Sequence, residues 1–143
     1  MHGIIETKFL YNPGNQSTFC HAPSLLEITS GDLLVAWYIY PEVEHKDAQL
    51  ALVRRPKGKL WETAKTISDN QAYSEGNPVL FEEPGGRIWL FFVALKGIYW
   101  TDDELNARYS EDGGRSWSPA HRLWEKHGMM VRHPPVLLKS GAL

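Results

Sequence analysis

The chain has little of several features that would place a protein in a class at once. Its 143 residues include one cysteine, Cys20, so no intramolecular disulfide can form. Fifteen lysines and arginines nearly balance 17 aspartates and glutamates, and no block of like charge occurs. A net charge of −2 therefore gives no reason to expect nucleic acid or an anionic membrane as a partner.

Long apolar segments are also missing. The longest apolar run, 33–40, is far shorter than the roughly 20 residues that a membrane span needs. Residues 1–14 lack the cationic start and apolar centre of a secretory signal. The sequence as written therefore predicts a cytoplasmic product, whereas a full-length protein could be periplasmic or secreted.

No metal site or cofactor is predicted. Cys20 and His21 are adjacent residues of types that bind metals. Because neighbouring residues of a strand point to opposite faces, the two side chains cannot easily share one ion. Cys20 is better explained as a small buried apolar residue.

What the chain does have is a repeat built on aromatic and branched residues, which include six tryptophans. A proline-led apolar segment, a glycine turn and a second apolar segment occupy 22–38, and the pattern returns at 77–92. A third copy begins at 134–141. The period of this repeat is slightly longer than the roughly 40–50 residues of a propeller blade, and it predicts repeated four-stranded sheets.

The predicted fold class is accordingly all-β, a β-propeller with about two blades and the start of a third, an incomplete ring. The chain is treated as a single partial domain, 1–143, with blade 1 at 20–68, blade 2 at 75–125, the start of blade 3 at 132–143, and an outer strand of a closing blade at 3–10. The predicted strands are 22–28, 32–40, 48–55 and 60–67, then 77–82, 87–95, 106–110 and 116–124. Because this ring cannot close, self-assembly of several copies is an alternative to a longer chain.

The connection at 110–117 is the most informative single motif. Asp112 can accept hydrogen bonds from nearby backbone N–H groups, while Gly113 and Gly114 can adopt the positive φ of a tight turn. The pattern Ser-x-Asp-x-Gly-x-Ser-Trp resembles the Asp-box of the sialidase-like β-propellers, also called BNR repeats. A faded copy at 54–61 keeps the glycine and the tryptophan. A structural role is predicted for Ser110, Asp112, Gly114 and Trp117, not a catalytic one.

The resemblance extends over essentially the whole chain. The segments FCHAPSL at 19–25, GDLLVAW at 31–37, NPVLF at 77–81 and RHPPVL at 132–137 occur in the order seen in the BNR-like exo-sialidase family. The chain resembles the N-terminal part of such a protein. This similarity implies a sialidase-type propeller and an exo-α-sialidase-like glycosidase acting on terminal acidic sugars. The 143 residues alone are expected to be inactive, because over half of the pocket would be missing.

The predicted topology places the candidate site at one end of the sheets. Entries to the first strands and the loops between second and third strands converge there. The catalytic candidates are Asp47, His21 and Glu44, of which Asp47 falls, by resemblance, near the acid/base aspartate of sialidases. The substrate-binding candidates are Arg132, His133, Asn77, Arg55, Trp37 and Trp100. His21, Asn77 and Arg132 are predicted to gather on one face, and Asp102, Asp103 and Glu104 to lie in a loop there.

Three functions remain open. A hydrolase would use Asp47 or Glu44 to protonate the leaving oxygen, with Arg132 holding an anionic sugar. A polysaccharide lyase acting on uronic-acid polymers would use His21 or His133 on the carboxylate or on the proton beside it. A non-catalytic propeller would only bind glycans. His21 stands where sialidases have an arginine, and histidine lacks the planar fork of arginine.

Overall fold

The chain forms two antiparallel sheets of four strands each. The computed structural model describes residues 7–12, 18–42, 46–69, 72–124 and 126–142, with the backbone alone for Trp100. The first sheet contains β1 (Phe19–Glu27), β2 (Leu33–Tyr40), β3 (Gln49–Arg55) and β4 (Lys65–Thr66). The second contains β5 (Ser74–Glu82), β6 (Ile88–Leu95), β7 (Asp103–Ser110) and β8 (His121–Arg122), with a 3-10 helix at Trp100–Asp102. Strand order in each sheet follows the chain, so the all-β prediction is confirmed.

The core lies between the two sheets. Alternate residues of β2, including Leu34 and Tyr38, and alternate residues of β6, including Leu90 and Phe92, belong to one cluster, and all four side chains are buried. A strand with a period of two presents one face to this layer. The opposite face of β2 forms a smaller cluster around Trp37, which Leu10 and Tyr11 partly cover.

The two sheets repeat each other down to a local irregularity. β1 and β5 each shift register against the next strand, between His21 and Ser24 and between Gly76 and Val79. Inside each bulge one non-glycine residue has a positive φ: 47° at Ala22 and 48° at Asn77. Ala22 and Asn77 are therefore structurally equivalent, and His21 is equivalent to Gly76.

The two tryptophans of the repeat also match. The residue after Trp61 donates its N–H to the carbonyl of Arg54 at 2.8 Å, and the residue after Trp117 donates to that of Tyr109 at 2.8 Å. Each tryptophan therefore lies at the same position, four residues before the outer strand of its sheet, as the second, incomplete copy of the turn motif predicts.

Several details differ from those predicted. β1, β5 and β7 each begin three residues earlier than predicted, and the outer strands β4 and β8 contain two residues each. Cys20, predicted as a buried residue, is exposed. Pro119 removes a donor from the stretch expected to lengthen β8. Of the predicted outer strand 3–10, residues 3–6 lie outside the described residues and 7–10 form no strand.

The C-terminal segment contains a turn where the third blade is predicted to start. Gly141 donates its N–H to the carbonyl of Leu138 at 2.9 Å. The described part of 132–142 holds no strand, so the third blade stays a prediction. No helix of the described residues is long and apolar enough to cross a membrane.

Candidate functional site

A cleft of about 490 Å³ opens where the two bulges face the C-terminal segment. We call it the bulge cleft; its lining comprises Ala22, Pro23, Ser24, Leu25, Asn77, Pro78, Val79, Val131, Arg132, His133 and Pro134. Arg132 and His133 are exposed on its wall. The buried Asn77 amide donates to the sulfur of Met130, two residues before Arg132. Asn77, Arg132 and His133 thus line one cleft, which His21, predicted to join Asn77 and Arg132, does not line.

A second cleft, of about 680 Å³, lies between the loops that follow β2 and β6. We call it the loop cleft; its lining comprises Lys46, Asp47, Ala48, Gln49, Ala72, Tyr73, Ser74, Leu95, Lys96, Gly97 and Ile98. Asp47 is exposed there and has a φ of 59°. The Lys96 ammonium lies 3.6 Å from the centroid of the Tyr73 ring, a cation–π contact.

The loop cleft lies at the end of the sheets where β1 and β5 begin, and the bulge cleft lies further along these two strands. Ser74 lines the loop cleft and Asn77, three residues further along β5, lines the bulge cleft. Among the described residues that line the two clefts, Asp47 is the one carboxylate. The arrangement therefore offers an acid beside a cation-bearing cleft.

His21 does not join this group. The residue contributes to the lining of a separate cleft of about 250 Å³, together with Leu10, Tyr11 and Trp37. Its ring lies on the face of β2 that carries Tyr38, where Nδ1 shares a hydrogen bond with the Tyr38 hydroxyl at 2.6 Å. The alignment of the two sheets explains the difference, because Ala22, not His21, stands at the position of Asn77. Counting 55 residues back from Asn77 would have revealed this from the sequence.

Two further candidates lie elsewhere. Arg55 is the last residue of β3 and pairs with Leu33 at the start of β2, so it lies at the opposite end of the sheet. Its guanidinium is 5.2 Å from the centroid of the Trp61 ring. Trp37 is only 5% exposed and contacts Tyr11, so little of its ring is open to a sugar. Glu44 and the side chain of Trp100 lie outside the described residues.

Two of the acidic residues predicted for the second loop lie in β7 instead. Glu104 lies in β7, where its carboxylate accepts a hydrogen bond from Arg122 at 3.0 Å. Asp103 is 0% exposed, and its carboxylate oxygens receive no hydrogen bond from the described residues. Burial, and secondarily the charge of Asp102, raises the pKa of Asp103 to about 6. Neither side chain lines the two clefts, so neither is placed to contact a ligand there.

The turn at 110–117 lies at the end away from both clefts. Asp112 accepts hydrogen bonds from the backbone N–H groups of Arg115 and Ser116, each at 2.9 Å, and from the Ser116 hydroxyl at 2.6 Å. The Ser110 hydroxyl accepts the N–H of Gly114 at 2.8 Å. The Ser116 hydroxyl and these N–H groups hold the pKa of Asp112 well below its usual range. A carboxylate occupied in this way stabilises the turn and has no proton to give.

Replacing Asp112 by alanine is expected to lower the free energy of unfolding by about 1–2 kcal/mol, because the turn loses an acceptor used by several donors. The folded pKa lies below the unfolded one, so this contribution is present above about pH 4 and is lost as the pH falls further. Urea titrations at pH 7 and pH 3 measure both effects. Glu111→Ala is the control, since the Glu111 carboxylate accepts a hydrogen bond from the half-exposed Arg87 and none from the backbone N–H groups of the turn described above. An equal loss in the two variants would contradict the prediction.

Comparison with known families decides the class. The model of the BNR repeat-like domain matches residues 31–143. The chain belongs to this family. No curated protein sequence gives a significant match.

Solved structures show the same fold. The chain is similar to Hadza microbial sialidase Hz136, with 21% identity and a TM-score of 0.61, over 73% of this chain and 26% of that one. A protein of unknown function from Dyadobacter fermentans DSM 18053 is 19% identical, with a TM-score of 0.62 over 89% and 46% of the two chains. Zg3597, a family 117 glycoside hydrolase produced by the marine bacterium Zobellia galactanivorans, is 13% identical, with a TM-score of 0.57 over 85% and 41%. The BNR chain thus spans between a quarter and a half of each of these structures, and its sheets are blades of a sialidase-type propeller.

Proposed function

We propose that this BNR chain is part of a sialidase-like glycoside hydrolase that acts on terminal acidic sugars. The observation that carries the proposal is that strand β5 lines both a cleft with Arg132 and His133 and a second cleft with Asp47. Two of the structural neighbours are a sialidase and a glycoside hydrolase, which supports a carbohydrate-active protein.

The residues divide the work by their chemistry. Arg132 carries a planar guanidinium, which binds a sugar carboxylate through two parallel hydrogen bonds. Asp47 is exposed on the neighbouring wall and, when protonated, gives its proton to the glycosidic oxygen as the bond breaks. The remaining groups of a complete pocket would come from further blades, since the chain covers only 26–46% of the structures it matches.

A lyase that acts on uronic-acid polymers is the second candidate. His133 lies beside Arg132 in the bulge cleft, and a neutral imidazole can remove the proton next to a carboxylate held by arginine. Such a reaction leaves an unsaturated uronate, so a rise in ultraviolet absorbance identifies it. Binding of the sugar with no turnover in the complete protein would instead favour a non-catalytic glycan-binding propeller.

Arg132→Ala is expected to weaken binding of an acidic sugar about ten- to hundred-fold, because a charge-assisted contact is worth about 1.5–3 kcal/mol. Titration calorimetry of the purified chain with sialyllactose, and with lactose as the neutral probe, measures the difference. Arg115→Ala is the matched control, since Arg115 lies in the turn at the other end of the sheets. Equal affinities for the two sugars, or equal losses in the two variants, would overturn the assignment of the bulge cleft.

A further inference from the structure

The residue that follows Asp47 is held from both sides by the start of β5. Ala48 donates its N–H to the hydroxyl of Ser74 at 3.0 Å, and its carbonyl accepts the N–H of Glu75 at 2.9 Å. Ala48 and Ser74 are both buried, with exposures of 2% and 4%. We call this pair of hydrogen bonds the Ala48 clamp.

The clamp acts next to a backbone that needs support. Asp47 has a φ of 59°, in the left-handed region that non-glycine residues adopt only at an energetic cost. A conformation of this kind persists when its surroundings fix it. By fixing both polar groups of Ala48, the clamp fixes the peptide that leaves Asp47 and hence the direction of its side chain.

The clamp is itself anchored in a buried network between the two sheets. Glu75 is 1% exposed, and its carboxylate accepts hydrogen bonds from the Ser68 hydroxyl at 2.6 Å and from Arg108 at 3.0 Å. Arg108 also donates to Asp69 at 2.5 Å. The Ser68 hydroxyl accepts the N–H of Leu50 at 2.8 Å. The start of β5 therefore cannot move without breaking contacts to β3, to β7 and to the segment after β4.

We propose that Ser74 is a positioning residue, which holds Asp47 in its left-handed conformation on the wall of the loop cleft. The proposal rests on the proposed function for the role of Asp47 as the acid. It adds that this acid, which lies just before β3 of the first sheet, is oriented by a residue of the second sheet. Ser74 itself contacts no reacting atom.

The test uses the whole isotopically labelled chain and the variant Ser74→Ala. Without an acceptor for its N–H, the Ala48 amide should exchange with solvent about tenfold faster, as the loss of one hydrogen bond requires. The three-bond coupling between the Asp47 amide proton and its Hα, which reports the φ of this residue, should change. Sialyllactose affinity should fall. Ser74→Thr keeps the hydroxyl and should restore all three values toward those of the original chain.

Ser118→Ala is the matched control, because it also removes a part-buried hydroxyl that accepts a backbone N–H, that of Tyr109 in β7, but lies at the other end of the sheets from Ala48. It should leave the Ala48 exchange and the Asp47 coupling unchanged. If a folded Ser74→Ala variant leaves both unchanged, or if Ser118→Ala shifts them equally, the proposal is overturned. A shift of both in Ser74→Ala with no loss of sialyllactose affinity supports the positioning role and counts against Asp47 in the proposed function.

Discussion

Arg108→Ala is expected to lower the free energy of unfolding by about 3–5 kcal/mol, because it leaves a buried carboxylate without its cation. The Arg108 side chain is 3% exposed and that of Glu75 is 1% exposed, so water cannot replace the lost partner. Burial already raises the pKa of Glu75 even though Arg108 lies beside it. Denaturant titrations at pH 7 measure the loss.

The same variant should be less impaired at low pH. A folded pKa above the unfolded value means that the folded chain binds the extra proton, so stability falls as the pH rises through the window between the two values. Removal of Arg108 raises the folded pKa of Glu75 further and widens that window. The difference from the original chain should therefore shrink between pH 7 and pH 5.

A double variant separates charge from packing. Glu75→Leu combined with Arg108→Leu removes both charges together and should cost far less than Arg108→Ala alone, because no buried ion is left unpaired. A double variant as unstable as the single one, or a loss in the single variant that does not depend on pH, would show that Arg108 contributes by its bulk.

The parts of the fold that could be predicted are those that local physics determines. The apolar segments at 33–40 and 88–95 alternate between two faces, and the turn at 110–117 carries its own acceptors and glycines. Such signals need no partner distant in the sequence. For that reason the all-β class, the four-stranded repeat and the structural role of Asp112 follow from the sequence.

The candidate site could be predicted only in part, because its geometry depends on the exact alignment of the two repeats and on contacts between residues that are distant in the sequence. His21 stands at the position of Gly76, one residue before that of Asn77, and it does not line the cleft that Asn77 and Arg132 share. Asp103 and Glu104 are predicted in a loop because charged residues are usually exposed to solvent, yet the pairing of β7 with β6 buries both. Ser74 could not be nominated at all, since its contact with Ala48 spans 26 positions.

The site also depends on how closely the two sheets approach, and Gly114 shows how tight that approach is. It has a φ of +82°, and a Cβ added there would overlap Cδ2 of Leu34, which is fully buried in the first sheet. The absence of a side chain at this position therefore lets the turn of the second sheet rest directly on the core.

Gly114→Ala is expected to destabilise the chain by roughly 2–5 kcal/mol, from about 1–2 for a side chain at positive φ and about 1–3 for overpacking. Gly113→Ala is the matched control, because it has a φ of +75° but its added Cβ would meet first only the flexible end of Arg115, at 3.3 Å. It should show the backbone cost alone. When Leu34→Ala is added to Gly114→Ala, the double variant should lose less stability than the sum of the two single losses, because Leu34→Ala removes the atom that overlaps. Thermal and denaturant unfolding of these three variants, and of Leu34→Ala alone, measures this coupling. Equal losses for Gly113→Ala and Gly114→Ala, or strict additivity with Leu34→Ala, would show that the conformation of the turn, and not its contact with the first sheet, requires glycine at position 114.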